Sequence, residues 1–165
     1  MVEQLWAPWR MQYIKQEPEE EGCFLCKAAA SEDRRKNLVI HKGERSFCLL
    51  NRFPYNNGHL LIAPYEHKGD LCQLDDGERA DLMATLCEME GCVRAAMQPH
   101  GFNIGINIGK VSGAGLPGHL HFHIVPRWEG DTNFMPVLAD AKVIPQALEE
   151  VYDLLVKHAK ARRKC

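Results

Sequence analysis

The chain is predicted to be a single α+β domain: a mainly antiparallel sheet with a central helix and a C-terminal helix. Three patterns predict it. Short apolar runs near 38–41, 46–50 and 59–63 follow one another at turn-length spacing, as strands joined by hairpins do. LDDGERADLMATLCEMEGCVRAAM then sets Leu82, Leu86, Met89, Val93 and Met97 three and four residues apart, which is one apolar helical face. GFNIGINIG and GHLHFHIV return to a period of two, before a second amphipathic run through Leu148, Val151, Leu154 and Leu155. Strands, a helix, two strands and a helix make an α+β order. A Rossmann fold is disfavoured, because no G-x-G-x-x-G leads from a strand into a helix.

In order along the chain, LWAPWRMQYI is an aromatic, proline-punctuated arm (about 1–16), and KQEPEEEG is an exposed acidic linker into CFLCKAAA. NLVIHKGERSFCLLN gives two strands joined by Lys42-Gly43-Glu44, and NRFPYNNG is a turn cluster. The strand in GHLLIAPYEH stops at Pro64. Asp75 or Asp76 serves as N-cap of the central helix. Phe102, Ile104, Ile106 and Ile108 share one parity and are expected inward, ahead of the loop KVSGAGLPG. The last helix ends in a basic tail (about 157–165), whose charge suits a helix C-terminus.

Composition narrows the function classes. At 165 residues with 45% hydrophobic and 25% charged residues, the chain fits one domain, 1–165, with a real core. A net charge of −2 argues against bulk nucleic-acid binding. No apolar run approaches the ~20 residues of a membrane span, and MVEQLWAPWR has no secretory apolar region. Seven cysteines without such a signal are expected as reduced thiols in a cytoplasm. Cys48, Cys72, Cys87 and Cys92 are read as small apolar filler.

The chemistry concentrates in GHLHFHIVPRW. His119, His121 and His123 alternate with Leu120, Phe122 and Ile124. On a strand this puts three imidazoles on one face, about 6–7 Å apart, with the apolar residues turned into a core. Metal binding is one reading: histidines two apart on a strand can both reach Zn²⁺, with Glu129 downstream, as in a cupin-like enzyme. That fold is an all-β jelly roll, at odds with the central helix. Nucleophilic catalysis fits better. A neutral imidazole can attack phosphorus and form a covalent intermediate, while its neighbours supply donors to phosphate oxygens and a proton for the leaving group. The glycine-rich loop 112–118 can turn backbone N–H groups towards a phosphate. A binding module without turnover is the remaining alternative.

HLHFHIV matches the His-x-His-x-His-x-x signature, and the chain resembles the histidine-triad (HIT) family of nucleotidyl hydrolases and transferases acting at a nucleotide's α-phosphate. NRFPYNNGHLLIAPYEH is similar to the family's Asn-x-x-Pro-x-x-x-Gly-His segment. LWAPWRMQYI and GHLHFHIVPRWEGDTNFMP resemble the branch that contains diadenosine tetraphosphate phosphorylases. The resemblance implies His121 as the nucleophile that becomes nucleotidylated, with His119 and His123 orienting the phosphate and the ring. It implies Asn51 on the ribose hydroxyls, Phe47 lining an adenine slot, Asn107 facing the α-phosphate and His59 at the Gly-His position. The substrate would be an adenine nucleotide or dinucleotide, cleaved by a diadenosine tetraphosphate phosphorylase or hydrolase, and the assembly a homodimer whose sheets join. Where many members carry Gln-Ser/Thr-Val, this chain has Gly115-Leu116-Pro117-Gly118. Phosphate contacts there would come from backbone groups, Gly115 included, or from Ser112.

Cys23-Phe24-Leu25-Cys26 is a bare C-x-x-C: a zinc half-site, a redox pair, or two packed thiols. The redox reading wants a helix starting at the first cysteine, which the acidic linker does not suggest. In a subset of HIT relatives such a pair holds zinc with two histidines, and the matching positions here are His67 and His119. The resemblance thus implies a structural zinc on Cys23, Cys26, His67 and His119.

Overall fold

The computed structural model describes residues 22–132 and 144–162. The aromatic arm lies outside them, as does the end of the basic tail. A short helix, α1 (Phe24–Ala30), leads into strands β1 (Val39–Lys42), β2 (Ser46–Leu50) and β3 (Leu60–Pro64). The long helix α2 (Asp76–Met97), strands β4 (Gly101–Ile106) and β5 (Phe122–Arg127), and helix α3 (Leu148–Arg162) complete the order. The strands form one sheet in the order β1-β2-β3-β5-β4, every neighbouring pair antiparallel. The α+β prediction holds.

Strand alternation gives the sheet two different faces. Leu50, Leu60, Ile62, Leu120 and Ile124 turn to one side and pack with Met89 and Val93 of α2 and Val151 and Leu155 of α3. Each such fully buried side chain contributes about 1.5–3 kcal/mol. Val39, Phe47, Leu49, Leu61 and Ala63 face the other side, covered by Leu25 and Ala28 of α1. Leu61 pairs with His123 in the β3–β5 register, so the histidine row lies on this second face.

The caps are as the sequence signals. Asp75 caps α2 in a reciprocal box: its carboxylate accepts from Glu78 N–H, and Glu78 accepts from Asp75 N–H. Gly58, before His59, has φ +72, and a Cβ there would sit 2.7 Å from Met97 Sδ. The left-handed turn and the close approach explain the glycine.

Several expectations are corrected. β5 begins at Phe122, so His119 and His121 precede the strand, although the alternation continues through them and buries Leu120. Ile104 is 44% exposed and Ile108 38%. β4 is an edge strand, and the long helices pack mainly over β1, β2, β3 and β5. In α3 the buried face runs through Val151, Tyr152, Leu155 and Ala159, with Leu154 only half-buried. Cys48 and Cys92 are buried filler, but Cys72 and Cys87 are exposed. A helix does start at the C-x-x-C pair, with Cys23 as the N-cap of α1. Among the described residues, no helix is long and apolar enough to cross a membrane.

Candidate active site and metal centre

At the seam of β3 and β5, the hydrogen-bond partners of the imidazoles decide which nitrogen carries each proton. His121 Nδ1 lies 2.8 Å from the carbonyl of His119. A carbonyl only accepts, so His121 Nδ1–H donates, and a neutral ring keeps its lone pair at Nε2. Burial holds the His121 pKa below the usual imidazole value, against the opposing pull of that backbone contact. The result is a bare, neutral nitrogen at pH 7.

His123 is fixed from the other side by a chain of donors. Tyr55 N–H donates to His59 Nδ1 at 3.1 Å, and the Asn51 Nδ2 amide approaches the same nitrogen at 3.2 Å. The Asn51 orientation is set independently, because its Oδ1 accepts from Phe53 N–H at 3.0 Å. With two donors on Nδ1, neutral His59 carries its proton at Nε2 and donates it to His123 Nδ1, 2.9 Å away. His123 therefore carries its own proton at Nε2, a buried atom with no partner among the described residues. Burial, together with the neighbouring histidines, pushes His59 down to about 3 and His123 to about 4. A buried donor left unpaired costs about 1–3 kcal/mol, which an acceptor arriving from a ligand would recover. The lone pair of His121 and the N–H of His123 sit on rings whose centroids are 5.0 Å apart.

His119 does something else. Its Nε2 lies 3.0 Å from the carbonyl of Pro64, so Nε2–H donates and Nδ1 is bare. That Nδ1 faces Cys23 Sγ at 3.2 Å and Cys26 Sγ at 3.4 Å, and Cys26 Sγ also meets His67 Nδ1 at 3.3 Å. All four donor atoms lie within 4.8 Å of one another. Cys26 Sγ thus sits between two imidazole nitrogens, and His119 Nδ1 between two sulfurs. A tetrahedron with ligand bonds of ~2.0–2.3 Å has edges of about 3.5 Å, close to the observed separations. The donor set and its spacing are compatible with zinc.

Backbone geometry assembles this cluster. α1 presents both cysteines, and the segment carrying His67 crosses the loop before His119 so closely that a Cβ on Gly69 would lie 2.9 Å from the Pro117 carbonyl oxygen. Leu120 N–H donates to the Lys68 carbonyl at 2.6 Å. Lys68 Nζ in turn bonds both oxygens of the buried Glu78 carboxylate at 2.6 and 2.7 Å, tying the segment to the first turn of α2.

Residues 32–130 match the HIT domain family. The chain belongs to the HIT family. Over 161 residues this HIT chain is 37% identical to a Mycobacterium tuberculosis protein named AP-4-A phosphorylase, covering 93% of this chain and 83% of that protein. A zinc-bound histidine triad family protein from Mycobacterium smegmatis shares the fold with a TM-score of 0.68, at 24% identity over 87% of this chain and 96% of that one. A hypothetical histidine triad nucleotide-binding protein from Sulfolobus tokodaii does so with a TM-score of 0.66, at 25% identity over 86% and 92%. A cupin-like architecture is set aside: the HIT fold here has a five-stranded sheet packed by helices.

Of the sequence-selected residues, His119, His121, His123, His59 and Asn51 come together in this HIT domain. Asn51, His59 and His123 form one hydrogen-bonded chain, His121 bonds the His119 carbonyl, and the His121 and His123 rings meet with centroids 5.0 Å apart. His59 is fully buried and so meets a ligand only through His123. Phe47 is 0% exposed and stacks on Tyr65, with centroids 5.5 Å apart. Its place is in the core beneath the site rather than on a surface. Asn107 is half-buried just past β4, and Gly115 is exposed in the loop. Ser112 donates its hydroxyl to the Gly109 carbonyl at 2.7 Å. Two groups escaped sequence reading. Tyr55 stacks beside His59 and His123. Asn56 is buried and bonds the Pro126 carbonyl and Asp131. The polar run Asn56-Asn57 inside a turn, next to a glycine, was the available signal.

Proposed function

We propose that this chain is a nucleotidyl transferase that cleaves adenine dinucleoside polyphosphates at an α-phosphate through a nucleotidyl-histidine on His121, with phosphate as the acceptor. The observation that carries the reading is the hydrogen-bond geometry from which a matched pair of tautomers follows: a bare Nε2 on His121 beside an Nε2–H on His123 that has no partner among the described residues. In the first step the His121 Nε2 lone pair forms a P–N bond as the P–O bond to the leaving polyphosphate breaks. The electron pair departs on that oxygen, a good leaving group that stays ionised. The imidazolium left on His121 keeps its Nδ1–H on the His119 carbonyl, which stabilises the positive charge. His123 Nε2–H donates to a phosphoryl oxygen whose charge grows in the transition state. In the second step an incoming oxygen reforms a P–O bond and expels neutral imidazole.

The 37% identical relative named for phosphorolysis supports phosphate as that acceptor. Asn51, at the rim of the site, suits a ribose hydroxyl contact, and the loop 109–118 with Asn107, Ser112 and Gly115 suits the phosphate chain. Cys23, Cys26, His67 and His119 would hold zinc. With four protein donors its role would be structural, fixing the His119 main chain on which His121 rests.

Incubation with diadenosine tetraphosphate, with and without phosphate, tests the reading. Phosphorolysis yields ADP plus ATP, and quenched intact mass shows the protein heavier by one adenylyl group, an adduct absent in His121→Gly. AMP plus ATP in the presence of phosphate would make water the acceptor. Unchanged turnover in His121→Gly would remove the nucleophile altogether; the expected loss is at least ~10³-fold.

A further inference from the structure

The turn between β2 and β3 is pinned more tightly than a connecting loop needs to be. Asn51 closes its start, accepting from Phe53 N–H. Asn56 Nδ2 reaches the Pro126 carbonyl at 2.9 Å and Asp131 at 2.8 Å, and Asn57 bonds Gln146 at 2.5 Å. Between these anchors stands Tyr55, 47% exposed. Its ring lies 4.7 Å from the His59 ring at 35° and 5.7 Å from the His123 ring at 18°. Its main-chain N–H is one of the two donors on His59 Nδ1.

We propose that Tyr55 is a positioning residue for the proposed transfer: its backbone N–H and its ring together hold the His59–His123 pair in the one proton order that leaves His123 Nε2–H turned to the substrate. The inference rests on the reading above. Reversing the order would put the shared proton on His123 Nδ1 and leave a lone pair at Nε2, facing a phosphoryl oxygen that is itself an acceptor. Nothing in the imidazole pair itself prevents that reversal, since either ring can donate in a bond of 2.9 Å. The donors at the far end, on His59 Nδ1, forbid it. Those donors work only while water is kept from offering alternatives, and the Tyr55 ring, itself 47% exposed, is laid along both imidazoles.

The test is a trio of variants, Tyr55→Phe, Tyr55→Leu and Tyr55→Ala, read by steady-state kinetics and by ring-nitrogen NMR of the substrate-free protein. Phe keeps the aromatic face and should retain wild-type kcat. Ala and Leu keep the main-chain N–H but lose the aromatic face. Their kcat should fall between about threefold and tenfold, the range aromatic pairs are worth, with KM changed less than twofold. In the wild type the nitrogen spectrum should show His59 and His123 both bare at Nδ1 and protonated at Nε2, and in the Ala variant His123 should show a mixture. Unchanged kcat with unchanged nitrogen signals in Ala and Leu would overturn the proposal. So would a rise confined to KM, which would make Tyr55 a substrate contact. The nitrogen spectra need no substrate, so they decide the role of Tyr55 even if the proposed transfer reaction fails.

Discussion

His119 and His123 flank the same nucleophile candidate two residues away on either side, and they are held in opposite ways. His119 spends Nε2–H on the Pro64 carbonyl and offers a bare Nδ1 to two sulfurs. His123 accepts a hydrogen bond at Nδ1 from His59 Nε2–H and offers an Nε2–H with no partner among the described residues. One end of the row fits a ligand, the other a donor, from the same side chain at the same parity of one alternating segment. What separates them is the second partner: a carbonyl at one end, an imidazole with its own donors at the other. The two ends should therefore respond to different perturbations, metal at the first and protons at the second.

The largest effect is expected at the ligand end. Cys26 touches both imidazoles of the cluster, so Cys26→Ser removes the sulfur with the most contacts. Purified wild-type protein should carry about one zinc per chain by elemental analysis, and Cys26→Ser should lose most of it. Binding to structural sites is folding free energy, so a drop of several kcal/mol in unfolding free energy should accompany the loss. Metal-free wild-type protein of unchanged stability would show that the cluster is only packed thiols and imidazoles.

The contrast between the two ends also marks what the sequence can carry. Alternation put His119, His121 and His123 on one face and Leu120 and Ile124 in the core, because strand parity is a local property. Spacing singled out Cys23 and Cys26 and the resemblance added His67, and geometry brings all three within 4.8 Å of His119. Neither route could say which nitrogen of each ring is bare. That depends on the Pro64 and His119 carbonyls and the Tyr55 N–H, and backbone groups leave no mark in a one-letter code. Phe47 fails for a related reason: its parity is that of the site face, but α1 and Tyr65 close over it there. Tyr55 and Asn56 were hidden in a turn whose polar residues looked like ordinary turn formers.

At the donor end the expected response is to acid. His59 and His123, pushed to about 3 and about 4, are neutral in the folded protein where an unfolded chain's histidines, near 6.5, are protonated. Between pH 6.5 and about 4 the unfolded state therefore binds more protons, and stability rises with pH. The contribution is fully present above pH 6.5 and is lost as pH falls towards the folded values. Each group adds a slope of at most about 1.4 kcal/mol per pH unit. Urea midpoints at pH 7, 6 and 5 should fall more steeply for wild type than for His59→Gln, which keeps an amide in place of the ring. Equal slopes would mean that the pair is solvated and already titrating.

The smallest effect should come from the turn that supports the donor end. Asp131 is 8% exposed and accepts from Arg127 Nε at 2.6 Å, Arg127 Nη2 at 2.8 Å and Asn56 Nδ2 at 2.8 Å. The Arg127 guanidinium holds its carboxyl well below the usual carboxylate range, so it stays ionised in mild acid. Arg127 is itself substantially exposed, and water can take over its half of the bond. Asn56 is buried and cannot be compensated so easily. Asp131→Ala should therefore cost about 1–2 kcal/mol in a denaturant titration. Asp131→Asn, which keeps an acceptor for Asn56, should recover roughly half of that. If both variants match wild type, the Asn56 clamp does not hold the turn, and the order of the His59–His123 pair depends on Asn51 and Tyr55 alone.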